Sequence, residues 1–106
     1  MRKLTIKRNK TFVACAAKVK IYIEDFQNDE ILIQGHPARK IAQIKNNQEV
    51  VVEIDEKEHK IFAIFDFLSK DSCCDMIVIK EGNEDVFVSG KCKLNPFIGN
   101  PFIFEK

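Results

Sequence analysis

Hydrophobic and polar residues alternate with a period of two along most of the chain. The alternation is regular at residues 3–7, 18–24 and 49–55, and each of these segments predicts a strand with one buried face. An apolar run at residues 11–16 leads into the second of them. Further runs of β-branched and aromatic residues between turn signals predict strands at residues 31–33, 60–68, 76–79, 86–89 and 102–104.

Turn-forming residues separate these runs. Asn9-Lys10 and the segments 27–29 and 81–83 predict turns, and Gly35 and Pro37 end the strand at residues 31–33. Residues 38–45 fit either a short helix or a strand, because Ile41 and Ile44 suit both periods. Asn46-Asn47 favours a hairpin here, since asparagine tolerates positive φ in tight turns.

Eight or nine short strands result, with turn signals every 8–12 residues or so, and no amphipathic helix of three turns can be drawn. The sequence therefore predicts one all-β domain over residues 1–106, an antiparallel β-sandwich. A small β-barrel is the alternative.

The middle of the chain resembles PEGA-type and related carboxypeptidase-regulatory-like modules, over residues 19–65. The resemblance rests on three stretches: Lys20-Ile21-Tyr22-Ile23-Glu24-Asp25, Lys40-Ile41-Ala42-Gln43-Ile44-Lys45-Asn46-Asn47-Gln48-Glu49-Val50 and Glu58-His59-Lys60-Ile61. These match an order of strand, acidic turn, strand, Asn turn and strand. The Pro-Glu-Gly-Ala signature itself is absent. The resemblance implies a small sandwich of the non-catalytic kind, and only the fold is carried over.

Apolar residues exceed what a two-layer sandwich usually hides. Residues 61–68 are apolar on both faces of a strand, and the segments 95–99 and 100–104 form a near-repeat rich in Pro and Phe. Either the C-terminal segment covers the outer face of the strand at residues 61–68, or a partner chain does, for example in a homodimer. The predicted interaction surface comprises Phe97, Phe102, Phe104, Phe62 and Ile64.

Charge is unevenly distributed along the chain. Residues 1–20 carry seven basic groups and no acid, and the remainder carries ten basic groups against all 16 acids, a net charge of −6. The near-cancellation favours pairing of the basic segment with acidic strands of the same molecule. Binding of nucleic acid by this segment is an alternative function, although nucleic acid is not the expected partner.

Four cysteines and two histidines are the candidate ligands or nucleophiles. Cys15, Cys73, Cys74 and Cys92 have no C-x-x-C spacing, so we expect free thiols in a cytoplasmic protein, with no leader and no membrane association. A metal- or thiol-dependent function of these cysteines with His36 and His59 is a second alternative.

Sequence signals for catalysis are absent. The four glycines form no phosphate-binding loop, and Glu49, Glu53 and Asp55 lie on the polar face of a predicted strand. We therefore assign no catalytic, cofactor-binding or metal-binding residues. The sequence predicts a non-enzymatic binding or assembly module without a cofactor.

Overall fold

The computed structural model describes residues 1–10, 18–28, 30–65, 75–92 and 102–105. Within these ranges the chain is built from β-strands in two sheets, which confirms the predicted all-β sandwich. The strands are β1 (Arg2–Arg8), β2 (Val19–Glu24), β3 (Ile31–Ile33), β4 (His36–Ile44), β5 (Glu49–Ile54), β6 (His59–Phe65), β7 (Asp75–Ile79), β8 (Val86–Cys92) and β9 (Phe102–Glu105). None of the described segments forms an apolar helix of the length needed to cross a membrane.

Both sheets are mainly antiparallel. The five-stranded sheet has the order β3-β4-β2-β6-β7 and is antiparallel throughout, with one irregularity at Ile21/Tyr22. The four-stranded sheet has the order β5-β1-β8-β9. Here β1 pairs antiparallel with β5 but parallel with β8, which departs from the predicted antiparallel arrangement.

A tight turn at Gln34-Gly35 joins β3 to β4. The φ angles of these two residues are 50° and 86°, which is the pattern of a two-residue hairpin turn with positive φ at both positions. Gly35 ends β3 as predicted. Pro37 does not lie in a loop, because it pairs with Leu32 inside β4.

Residues 38–45 fitted either a short helix or a strand, and the structure has a strand here, β4 (His36–Ile44). The hairpin favoured at Asn46-Asn47 is wrong. Asn47 does have a positive φ of 61°, and Gln48 N donates to Lys45 O over 3.0 Å. However, β4 and β5 belong to different sheets. The asparagines therefore make a tight turn that carries the chain from one sheet to the other.

The main core lies between the sheets, and residues 61–64 of β6 are buried on both faces of the strand, while the burial of residues 65–68 of the predicted apolar strand lies outside what the structure describes. Ile61 and Ala63 of β6 contribute to the main core. Phe62 and Ile64 face the other way and pack with Ile33 in a second buried cluster. Each fully buried residue of this size contributes about 1.5–3 kcal/mol by removal of apolar surface from water.

The last strand does not lie where the sequence analysis placed it. Phe102 and Phe104 are buried, as expected, but they belong to the main core rather than to the outer face of β6. Their rings meet edge to face, with centroids 5.6 Å apart. β9 pairs with β8 and so extends the four-stranded sheet. The expectation that this segment covers the outer face of β6 is therefore wrong for Phe102 and Phe104.

Strand β1 buries two arginines at its ends. The Arg2 guanidinium donates to the main-chain carbonyls of Asp55, Lys57 and Lys80 over 3.1, 3.0 and 2.8 Å. Arg8 Nη1 donates to Ile44 O over 3.1 Å. These two basic groups thus bind carbonyl oxygens and tie loops to the sandwich, which the sequence analysis did not anticipate.

Two lysines of β1 lie across from glutamates of β5. Lys3 lies opposite Glu53 and Lys7 opposite Glu49 in the register with β5. Such opposite-charge pairs across neighbouring strands favour the observed register.

Candidate functional site

The two lateral sides of the sandwich differ in how they are finished. On one side β9 packs against β6 and β7 of the opposite sheet. Phe104 N donates to Asp75 Oδ2 over 2.8 Å, so a hydrogen bond joins the two sheets at this side. We call this the closed side.

On the other side the two sheets do not match in width. β5 lies opposite β4, and the five-stranded sheet continues outward to β3. Among the described residues no strand extends the four-stranded sheet beyond β5. Leu32 of β3 is 57% exposed as a result. We call this the open side.

Strand β5 forms the edge of the four-stranded sheet at the open side. Its register with β1 is regular over all six residues, and it contains no proline. Alternate residues of an edge strand direct unpaired N–H and C=O groups away from the sheet, and these groups can pair with another strand. Val51 on its outer face is 54% exposed. Among the described residues, the strand is thus a long and regular edge with no partner on its outer flank.

A groove of about 300 Å³ runs beside this edge, between β5 and β4. Its apolar lining comes from Ile23, Ile41, Val52 and Ile54, and its polar lining from Arg39, Lys40 and Glu53. The side chains of a strand added next to β5 would alternate between this groove and solvent.

A second cleft, of about 410 Å³, adjoins the groove at the end of the sandwich and shares Ile23 and Arg39 with it. It contains two pairs of polar side chains, each with one carboxylate. Arg39 Nε donates to Asp25 Oδ2 over 2.9 Å, and His59 Nε2 lies 2.7 Å from Asp55 Oδ1.

Both carboxylates of this cleft also cap the turns that follow them. The pKa of Asp25 is lowered from its ordinary value of 3.8, first by the hydrogen bond from Gln27 N and then by Arg39. The pKa of Asp55 is likewise lowered, first by the hydrogen bond from Lys57 N and then by His59. These groups therefore hold loop geometry.

The second histidine lies on the outer face of the five-stranded sheet. His36 Nδ1 is 2.7 Å from Glu24 Oε2, and its ring packs on Phe62 with centroids 5.6 Å apart. Each histidine is thus engaged with one carboxylate. Among the residues that the structure describes, no three His, Cys, Asp or Glu side chains are grouped so that they could hold a metal ion.

The cysteines add little to this picture. Cys15, Cys73 and Cys74 lie outside the described residues, and Cys92 is the last residue of β8. A thiol- or metal-dependent function remains an untested prediction.

The predicted interaction surface does not form one surface. Phe102 and Phe104 lie in the main core, while Phe62 and Ile64 lie in the second cluster on the opposite face of the five-stranded sheet. Phe97 lies outside the described residues. The four described residues are buried inside the fold. The exposed apolar residues are different ones, such as Leu32, Val51 and Phe87.

Sequence reasoning missed β5 as an accessible edge. The regular alternation at residues 49–55 identified the strand, but a lone strand pattern does not tell an edge from a centre. The relevant signal was the pair Glu49 and Glu53, because charged residues are common on exposed edge strands.

Comparisons with protein-family models, with curated proteins and with solved structures found no match to this chain.

Proposed function

We propose that this protein is a non-enzymatic binding module that takes an extended segment of another protein as an added strand along β5. The observation that carries the proposal is the mismatch of the two sheets, which leaves the β5 edge accessible beside the exposed Leu32. Strand addition supplies affinity through main-chain hydrogen bonds and specificity through pockets for alternate side chains. The β5 edge and its groove offer both.

The other edges suit this role less well. β3 has three residues and β9 has four, so each offers few main-chain groups. β7 has five residues, but its Asp75 accepts a hydrogen bond from β9 at the closed side. β5 is the longest of the four edge strands.

An added strand can be detected through the amide protons of β5. Linear peptides selected from a random library on the intact protein would be added to the labelled protein, and amide exchange would be followed by NMR. We expect alternate amides of β5 to exchange more slowly in the complex, because they enter new hydrogen bonds. Protection confined to other strands would contradict the proposal.

Two exposed apolar residues provide a matched pair of variants. Leu32 and Phe87 are 57% and 62% exposed, but only Leu32 lies on the open side. Leu32→Asp should weaken binding of the selected peptides, whereas Phe87→Asp should leave it unchanged. Equal effects of both substitutions would show that binding follows general surface hydrophobicity instead.

We further propose that the protein works in the cytoplasm with its four cysteines reduced. Thiol titration of the unfolded protein, purified without reductant and alkylated at once, should find four thiols. Two or fewer would contradict this location.

A further inference from the structure

The outer face of β5 carries a charge pattern that restricts what can pair with it. Glu49 and Glu53 are exposed on this face, four residues apart, with Val51 between them. In antiparallel pairing, directly opposite side chains lie on the same face and interact. An added strand must therefore place its own outward side chains next to this row of acid, valine and acid.

The neighbour already present shows how the chain satisfies this pattern on the other side. Lys7, Thr5 and Lys3 of β1 lie opposite Glu49, Val51 and Glu53. Opposite charges at these positions favour the pairing, and like charges disfavour it. Each glutamate thus has a lysine of β1 beside it on one side. Its other side is the edge of the sheet.

A second copy of this chain fits the edge poorly. The antiparallel register centred on Val51 pairs residues 49–53 of two copies and keeps the exposed residues on one face. It places Glu49 of each copy opposite Glu53 of the other. A shift by one residue would turn the buried face outward. Self-pairing along β5 thus brings four carboxylates together in two like-charged pairs.

The groove sets the remaining positions. Side chains that point inward from an added strand meet Ile41, Val52 and Ile54, so apolar residues suit the positions between the outward ones. Arg39 at the groove is held by Asp25 over 2.9 Å.

We infer that the segment bound along β5 is a cationic strand, with Lys or Arg at two outward positions four residues apart and apolar residues at the two inward positions between them. This inference rests on the proposed function and adds the chemistry of the partner. The charge pairs act mainly on choice of partner and on register, since exposed ion pairs stabilise only weakly.

Three capped synthetic peptides of equal length test the inference. Each has a Val-Thr-Val centre, flanked by two lysines, two glutamines or two glutamates. Binding to the intact protein would be measured by isothermal calorimetry at low and high salt, with amide exchange of β5 as the structural readout. We expect affinity to decrease in the order lysine, glutamine, glutamate, and the difference to shrink in high salt.

Variants of the protein locate the effect. Glu49→Gln and Glu53→Gln should each weaken the lysine peptide by roughly 2- to 5-fold, in line with exposed ion pairs. Both should leave the glutamine peptide unchanged. Glu84→Gln is the matched control, because it removes the same charge from the exposed loop between β7 and β8. It should have no effect on any peptide.

The outcomes separate the inference from the function beneath it. If all three peptides protect β5 equally, strand addition stands and the cationic preference is overturned. If the lysine peptide binds but Glu84→Gln weakens it as much as Glu49→Gln, the preference reflects overall charge, and the inference is also overturned. If no peptide protects β5, or if the free protein dimerises through β5, the proposed function itself fails.

Discussion

The closed and open sides of the sandwich are each bordered by an edge strand of the four-stranded sheet, β9 and β5. At the closed side β9 packs against the opposite sheet, whereas at the open side no described strand extends the four-stranded sheet opposite β3. At the closed side, Phe102 and Phe104 of the four-residue β9 are buried in the main core, and Asp75 accepts a hydrogen bond from the other sheet. At the open side, β5 is longer and more regular, yet Leu32 of β3 in the opposite sheet remains exposed. Strand length and hydrophobicity therefore do not determine which edge is covered. The difference in the number of strands between the two sheets determines it, because β3 extends beyond β5.

The largest expected difference between the two sides concerns their apolar residues. Phe102 is fully buried, so Phe102→Ala should lower the free energy of unfolding by about 3–5 kcal/mol. Leu32→Ala at the open side should change it by no more than about 0.5 kcal/mol. Urea unfolding of both variants checks this, and a large loss for Leu32→Ala would show that the open side is covered in solution.

Gly90 tests how tightly the closed side is packed. A Cβ atom at this position would lie 2.4 Å from Phe102 Cζ and 2.8 Å from Ile103 O. Gly90→Ala should therefore destabilise the protein by about 1–3 kcal/mol through overpacking. Ser89→Ala, one residue earlier, is the control and should be nearly neutral.

Combining Gly90→Ala with Phe102→Leu sharpens this prediction. If the clash with the Phe102 ring is the cause, Gly90→Ala should reduce the free energy of unfolding by less in the Phe102→Leu background than in the wild type. Strict additivity of the two substitutions would assign the loss to the main chain at Ile103 instead.

The hydrogen bond between the sheets is worth less than the packing. Asp75→Ala should cost about 1–2 kcal/mol, since it deprives the partly buried Phe104 N–H of its acceptor. Asp75→Asn keeps a carbonyl oxygen and should cost less. Glu53→Ala is the open-side counterpart and should fall within about 0.5 kcal/mol. Thermal unfolding followed by circular dichroism measures all three, and equal losses would remove this distinction between the sides.

The smallest effect depends on pH and belongs to the cleft beside the open side. The pKa of Asp55 is lower in the folded chain than its ordinary 3.8, because the Lys57 amide and His59 favour the carboxylate. Its contribution to stability is thus fully present above the unfolded pKa and is lost as the pH falls through the folded pKa.

Substitution of Asp55 makes this contribution measurable. The stability difference between wild type and Asp55→Asn should be largest near neutral pH and should narrow toward about pH 3. Leu32→Ala does not remove a titrating group, so its difference should stay constant over the same range. If the stability difference between wild type and Asp55→Asn does not change with pH, the side chain acts only through the conformation of its loop.

Local patterning predicted the strands well, because a period of two records which face is buried. It also located the turn at Asn46-Asn47, since positive φ is a local property of Asn47. It failed on whether that turn closes a hairpin, because the choice of partner strand depends on the whole topology. β4 and β5 read as neighbours in sequence and lie in different sheets.

The candidate site was missed for a related reason. An apolar surplus in residues 61–68 and 95–104 indicated cover by the C-terminal segment or by a partner chain, yet Phe62 and Phe102 are each buried inside the fold. The hydrophobicity of a residue predicts that its side chain is buried, but it does not predict which part of the molecule packs against it. Exposure of Leu32 follows from the difference in sheet width, which no local pattern contains, whereas Val51 is exposed because it lies on the outer face of its sheet.

The parallel pairing of β1 with β8 has a consequence for synthesis of the chain. Strands of the five-stranded sheet all come from residues 19–79, whereas β1 needs residues 86–90 as well as β5 to complete its pairing. At about 5–20 residues per second, roughly 4–16 s pass between translation of β1 and that of β8. During that interval β1, which carries the core residues Leu4 and Ile6, lacks one of its two neighbouring strands. β1 precedes the other eight described strands in the chain and is thus among the last to be fully paired.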